Sequence, residues 1–292
     1  MIQIDREKCI SCFACHDVCR GNVFERTSNG ENGSIAASFS DQCCQCGYCL
    51  AVCPSDAISH PQVSKDAFEK LPPVQVEPEA LENLMFSRRS TRCFQDREVP
   101  EAVVERLLDV AIHAGSGANL QLEHIIVVSN RSFLYELEEQ AIHAFWKGGM
   151  RFFKPKGVLV ALLKKVFGSE LAGSYQIYHQ FIRKWAGQGE YKGKAFYHAP
   201  LMIVFHGKKM DKINQANCAV AIRNMELLAV SLGLSTCWSG WLTGAAGMSG
   251  KINKMLGLDR SRAIGGALMV GYPKYKPAYK LSRDKRDVRW IR

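Results

Sequence analysis

Twice in its first 54 residues the chain sets four cysteines at the spacing C-x2-C-x2-C-x3-C, as Cys9, Cys12, Cys15 and Cys19 in "CISCFACHDVC" and as Cys43, Cys46, Cys49 and Cys53 in "CCQCGYCLAVCP". A disulfide framework is the first alternative, since dense cysteine usually means that in small secreted domains. The opening "MIQIDREKC" has neither the apolar run nor the cleavage site of a secretory signal, so a reducing cytoplasm is expected. A zinc ribbon is the second alternative, but zinc takes four ligands in tetrahedral sites, and eight cysteines in two such runs exceed what those sites ask for. The spacing fits a pair of cubane iron-sulfur centres. Three thiolates on one tight loop reach three irons of one cube, and the fourth cysteine of the run serves the other cube. Cys9, Cys12, Cys15 and Cys53 are therefore assigned to one 4Fe-4S cluster, and Cys43, Cys46, Cys49 and Cys19 to the other.

Residues 1 to about 60 resemble the bacterial two-cluster ferredoxins, which are small electron carriers. Two departures leave the ligands untouched. Cys19 is followed by Arg20 instead of proline, and the polar "RTSNGENGS" between the runs reads as a surface loop or hairpin. Cys44, Cys93, Cys218 and Cys237 fall outside the pattern and are read as small buried hydrophobes.

Composition bounds the remainder. With 292 residues, 47% hydrophobic content and no apolar run near the length of a membrane span, the chain has room for a sizeable second core. Of the 38 basic and 28 acidic side chains, residues 1–60 hold four and seven, so the net +10 belongs to the later residues. No helix-turn-helix, zinc-finger or RNP pattern accompanies the charge, and an anionic cofactor or substrate accounts for it as well as a nucleic acid would. Three prolines fall in residues 72–78, so residues 61–78 read as a stiff linker, with domains at 1–60 and 79–292.

Past the linker, "FSRRSTRCF" clusters Arg88, Arg89 and Arg92 around Ser90, fork-shaped donors and a hydroxyl suited to a phosphate dianion. The helical "PEAVVERLLDVAIHAG" leads to "GSGANLQLEHIIVV", a small-residue loop whose Asn119 and Gln121 carry paired donors and acceptors, entering a strand. "LMIVFHG" reads as a strand, "NCAVAIRNMELLAVSLG" as a long apolar helix stopped at Gly233 before another strand, and "RAIGGALMVGYP" as a last glycine-rich strand.

Over residues 79–292 these segments resemble the nitroreductase family of FMN-dependent flavoenzymes. The resemblance implies an α+β fold with a central, mostly antiparallel sheet flanked by helices. It implies that Arg88, Arg89, Ser90 and Arg92, within R-R-S-x-R-x-F, hold the FMN phosphate and ribityl chain, and that Ser116, Asn119 and Gln121 lie against the isoalloxazine. It implies further that the turn at Ser239 and Gly240 offers a backbone N–H to flavin N5, and that Arg283 returns to the phosphate. The proline and tryptophan usual around the asparagine loop are absent here. "GSGANL" fails the G-x-G-x-x-G fingerprint at Leu120, so no Rossmann domain is indicated.

Two readings of function follow. In the first, a low-potential donor, whether ferredoxin, flavodoxin or an NAD(P)H-linked system, reduces the clusters, these reduce FMN, and N5 passes hydride to an electron-poor small acceptor such as a nitroaromatic or a quinone. No side-chain acid or base is nominated. In the second, the chain is an electron-transfer module serving a protein partner. The resemblance implies a homodimer with FMN at the subunit interface. The basic, aromatic stretch from Phe145 to Phe167 reads as a cap helix in preference to a membrane-surface helix. Tyr175, Tyr178, Trp185, Tyr191 and Tyr197 are candidates to line a pocket or to pack in the core. His113, His124, His143, His179, His198 and His206 show no metal-ligand spacing.

Overall fold

The computed structural model describes residues 1–27, 34–73, 75–147, 165, 180–182, 184–185, 189, 191–209, 213–280, 282–283 and 287–292. The tip of the polar hairpin, most of the basic 145–167 stretch, Tyr175, Tyr178 and His179 lie outside the described residues. Contacts divide the chain into two compact units, Met1–Gln75 with Ser116–Leu120, and Val76–Gly115 with Gln121–Arg292. The first thus extends past residue 60 and takes in a short segment from the later sequence.

In the first unit, β1 (Gln3–Ile4) pairs antiparallel with β4 (Ile58–Ser59), and β2 (Phe24–Thr27) with β3 (Ser34–Ala37). Two short helices, α1 (Ala14–Val18) and α2 (Tyr48–Ala51), each carry the third cysteine of a run, Cys15 in the first and Cys49 in the second. The repeat is written in the backbone. Ser11 and Gln45, Phe13 and Gly47, and Asn22 and Asp56 occupy matching places relative to the cysteines, and all six have φ between 50° and 69°. Five are not glycine, so the chain accepts left-handed strain in order to turn its thiols inward. The apolar core is small, with Ile2, Val23, Phe24, Ile35, Leu50 and Ile58 buried beside the cysteines.

The second unit holds a four-stranded antiparallel sheet in the order β5 (His124–Val128), β6 (Leu201–Lys208), β8 (Arg262–Gly271), β7 (Ser235–Trp238). Side chains alternate along a strand, and here both faces are covered. Met202 and Val204 of β6, with Ala267 and Met269 of β8, enter one core. Leu201, Ile203 and Phe205, with Leu268 and Val270, enter the other. That double burial explains the unbroken apolar runs of β6 and β8. Against the first face pack α5 (Arg131–Phe145), α7 (Gly240–Met248) and α8 (Gly250–Met255), and against the second α4 (Glu101–Ile112) and α6 (Asn214–Ser231). Each fully buried aliphatic side chain there contributes roughly 1.5–3 kcal/mol.

Two glycines have specific work. A Cβ on Gly265 would come within 2.5 Å of Cys218 Sγ, so glycine lets α6 lie close against β8. Gly233, at φ +73°, ends the turn after α6, and the next N–H, of Leu234, returns to Ala229 O at 2.8 Å. The helix α3 (Pro78–Ser87) opens with proline at its first position and delivers the chain to Arg88.

Candidate functional site

In the first unit, one cavity is lined by Cys9, Cys12, Cys15 and Cys53, and a second by Cys19, Cys43, Cys46 and Cys49. Each set takes its fourth thiol from the opposite run. Electrostatics follow the same partition: Cys15 feels Cys12 and Cys53, whereas Cys49 feels Cys43, Cys46 and Cys19. Burial pushes the Cys49 thiol up to about 11 and raises that of Cys15, so a metal must displace their protons. Burial opposes ionisation of Cys53 as well, yet backbone N–H groups of Ala57 and Ser55 aimed at its sulfur leave its pKa lowered.

Backbone donors reach other sulfurs too. Val23 N–H approaches Cys19 Sγ at 3.4 Å, Ala57 N–H approaches Cys53 Sγ at 3.3 Å, and Gln45 N–H approaches Cys43 Sγ at 3.3 Å. Among the described residues no three His, Cys, Asp or Glu side chains gather as ligands of a single ion would. Four thiols spread around a cavity, with N–H donors on their sulfurs, fit a cluster that bonds each thiolate to a different iron. Cys44, outside the repeat, also lines the second cavity.

The second unit gathers the basic segment and the end of the sheet. Ser90 forms a parallel bridge with Thr236, and Thr91 N–H donates to Thr236 O at 2.9 Å, which carries Arg88–Phe94 along β7. Phe94 is buried and bridges Pro273. Arg88 Nη1 lies 3.4 Å from Glu226 Oε1 on α6, whose carboxylate also receives Arg223 and the Thr236 hydroxyl. Arg89 and Arg92 are exposed. The Arg92 guanidinium is close enough to Tyr197 and Cys237 to favour their ionised forms, although burial of each outweighs it and raises both pKa values. Ser90 hydrogen-bonds the Cys237 thiol.

Tyr197 is brought there by a buried carboxylate. Glu138 accepts from the N–H groups of Gly193, Ala195 and Phe196 at 2.6, 2.7 and 2.6 Å, anchoring the turn just before Tyr197. Burial raises the Glu138 pKa against the pull of those donors. Guanidinium forks, a serine hydroxyl and a tyrosine hydroxyl at one place form a donor set that fits a phosphate dianion.

The remaining expected positions are more scattered. Ser239 caps α7, its Oγ accepting from Leu242 N–H at 3.3 Å, and its own N–H is taken by Ala267 O at 2.8 Å. Gly240, at the first helical position and exposed, is where an N–H lacks an intrahelical partner. Arg283 is exposed in the carboxy-terminal tail. Ala118, Asn119 and Gln121 have φ of 51°, 55° and 45°. Asn119, expected beside a flavin ring, donates its Nδ2 to the carbonyls of Cys44 and Gln45 at 3.3 and 3.2 Å, in keeping with its membership of the first unit. Of the aromatic candidates, Trp185 sits 5.4 Å from Trp241 and Tyr191 5.0 Å from His143, both as core packing.

Glu226 and Cys237 were not singled out from the sequence as part of this site. Glu226 left a trace, as the one acid in the apolar "NMELLAVSLG"; Cys237 left none.

The profile described as the nitroreductase family matches residues 85–272. The chain belongs to the nitroreductase family. Unlike a nitroreductase domain alone, this member also matches a 4Fe-4S dicluster domain over residues 8–76. An uncharacterized ferredoxin of Methanocaldococcus jannaschii is 42% identical over 57 residues, 20% of this chain and 73% of that protein. A protein of Methanothermobacter thermautotrophicus, provisionally named an NADH dehydrogenase/NAD(P)H nitroreductase, is 26% identical over 69% of this chain and 80% of its own length. Among solved structures, an FMN-bound nitroreductase of Bacteroides fragilis superposes with a TM-score of 0.54 at 22% identity, covering 72% of this chain and 97% of that one. The fold of this family member is the expected one, an antiparallel sheet flanked by helices after a ferredoxin domain. As a member of that family it is an oxidoreductase. Among the described residues no helix is long and apolar enough to cross a membrane.

Proposed function

We propose that the chain is an FMN-dependent oxidoreductase that accepts electrons from a low-potential donor through two 4Fe-4S clusters and reduces an electron-poor small acceptor, such as a nitroaromatic or a quinone. When bound, the clusters carry electrons singly and FMN joins them into a two-electron reduction, chemistry that belongs to the cofactors. The observation that carries this reading is the four-and-four partition of the cysteines around two cavities, in a chain whose remaining fold is that of FMN-bound nitroreductases.

The residues then have distinct tasks. Ser90, Arg89 and Arg92 receive the FMN phosphate, helped by Tyr197, with Arg283 closing over it from the tail. Arg88 contributes from its pairing with Glu226, which holds the guanidinium in place. Gly240 N–H, at the start of α7, is the donor toward flavin N5, since Ser239 spends its own on the sheet. Gln121, just before β5, is assigned to the polar edge of the ring. Asn119 is assigned to the Cys44–Gln45 loop instead. Tyr275, Tyr279, Val288, Trp290 and Ile291 expose apolar surface along the tail, which a second copy would cover in a two-fold dimer.

The test is an iron, sulfide and flavin count on anaerobically purified protein, with visible spectra before and after dithionite. About eight iron atoms per chain together with bound FMN are expected. Full iron without flavin would overturn the reading of the second unit. Steady turnover of a small acceptor by the reduced protein separates an enzyme from a module that reduces only a protein partner.

A further inference from the structure

The two cysteine runs repeat in spacing and in left-handed residues, and the backbone N–H groups on their last sulfurs repeat as well, from Val23 to Cys19 and from Ala57 to Cys53. One side chain breaks the repeat. Seven residues past the last cysteine of the first run stands Arg26, and at the same place in the second stands His60. Arg26 is turned away from the cysteines, 2.7 Å from Asp17 and stacked 4.6 Å over the Phe13 ring. His60 lines the cavity of Cys19, Cys43, Cys46 and Cys49, with Nε2 3.3 Å from Cys43 Sγ.

The tautomer of His60 follows from its other nitrogen. Nδ1 faces two backbone donors, Gln62 N–H and Val63 N–H, each at 3.1 Å. A nitrogen that accepts cannot carry a proton, so the proton of the neutral ring is on Nε2. A cluster-bound thiolate only accepts. The contact to Cys43 is therefore an N–H···S hydrogen bond with its direction set by the backbone. Cys43 Sγ already receives Gln45 N–H at 3.3 Å, so two donors converge on that sulfur. Among the described residues the other set has one side-chain hydrogen-bonding contact, Ser55 Oγ, at the longer distance of 3.8 Å from Cys53 Sγ.

We propose that His60 is a positioning residue that sets the two clusters apart in potential, its Nε2–H bond to Cys43 making the cluster of Cys19, Cys43, Cys46 and Cys49 the easier to reduce. Donors on cluster sulfurs stabilise the extra negative charge of the reduced state and raise the potential. Reduction adds one electron from the donor, breaks no bond and moves no proton, since the ring stays neutral throughout. In a chain whose two centres share one cysteine spacing, this gives electrons a preferred resting place.

The inference rests on the two-cluster reading, and its test separates the two. The intact protein is titrated anaerobically with dithionite and followed by EPR for wild type, His60→Leu and His60→Gln, with iron counted in each. In His60→Leu one of two reductive steps is expected to move to lower potential, by about tenfold in its equilibrium constant, or 59 mV for one electron, while the other stays in place. His60→Gln keeps an N–H at similar reach and is expected to recover most of the shift. Full iron with both steps unmoved in His60→Leu would overturn the role of His60 alone, whereas wild-type protein without iron would overturn the cluster reading. Should His60→Leu lose iron, wild type labelled with 15N-histidine decides. Nitrogen hyperfine coupling on one reduced cluster supports the bond, and its absence on both overturns it. His16 does not confound this, being bonded to Asp17 at 2.9 Å.

Discussion

In the first unit the buried aliphatic and aromatic side chains are few, Ile2, Val23, Phe24, Ile35, Leu50 and Ile58, and cysteines fill the space among them. In the second, two large apolar clusters sandwich a four-stranded sheet whose inner strands β6 and β8 are buried on both faces. A small domain with so little apolar burial needs staples, and the metal-thiolate bonds of the proposed clusters would supply them. A fold resting on ligands can be dismantled by chemistry, whereas one resting on burial must be dismantled by cavities or unpaired charge.

The largest expected effect tests that contrast directly. Stripping iron with a chelator is expected to abolish amide protection throughout residues 1–60 in hydrogen exchange while β6 and β8 keep theirs. Retained protection at Val23 and Ile35 would remove the distinction. Next comes Glu226→Ala, which leaves Arg88 and Arg223 without their carboxylate. It is expected to destabilise the second unit by about 2–4 kcal/mol in urea, less than a fully buried pair because Arg223 is partly solvated. A smaller and different effect is expected of Arg92→Ala. This side chain is exposed, so folding should change by less than about 0.5 kcal/mol. FMN retention, followed by the fluorescence of released flavin, should weaken about tenfold, or 1.4 kcal/mol.

A further effect concerns pH. Burial, with Arg262 and His124 adding to it, pushes His206 down to about 4 from 6.5. A depressed histidine leaves the unfolded chain binding more protons, so its contribution is present above pH 6.5 and is lost as pH falls toward 4. Thermal unfolding of the second unit should lose on the order of 1–3 kcal/mol across that window. The loss should be absent in His206→Phe, where β6 and β8 pair without a titrating ring.

What was legible beforehand follows the range of the interactions. Cysteine spacing, the strand at Leu201–Lys208 and the glycine stop at Gly233 are local patterns, and the structure holds them as written. Arg88 and Glu226 stand 138 positions apart, so no spacing announces their pairing. The amide of Asn119 was read from its chemistry as suited to a flavin edge. Its bonds to Cys44 and Gln45, more than seventy positions earlier, depend on a tertiary arrangement that paired donors and acceptors alone do not specify. His60 lies just beyond the motif that marks the ligands, and only the backbone donors at Gln62 and Val63 reveal what its far nitrogen does.

Because Cys19 belongs to the cavity of the later run and Cys53 to that of the earlier one, neither loop closes on itself. With clusters bound, the loop that lends a fourth thiolate to one centre would itself be anchored by three thiolates on the other, so each centre would brace the ligand of its neighbour.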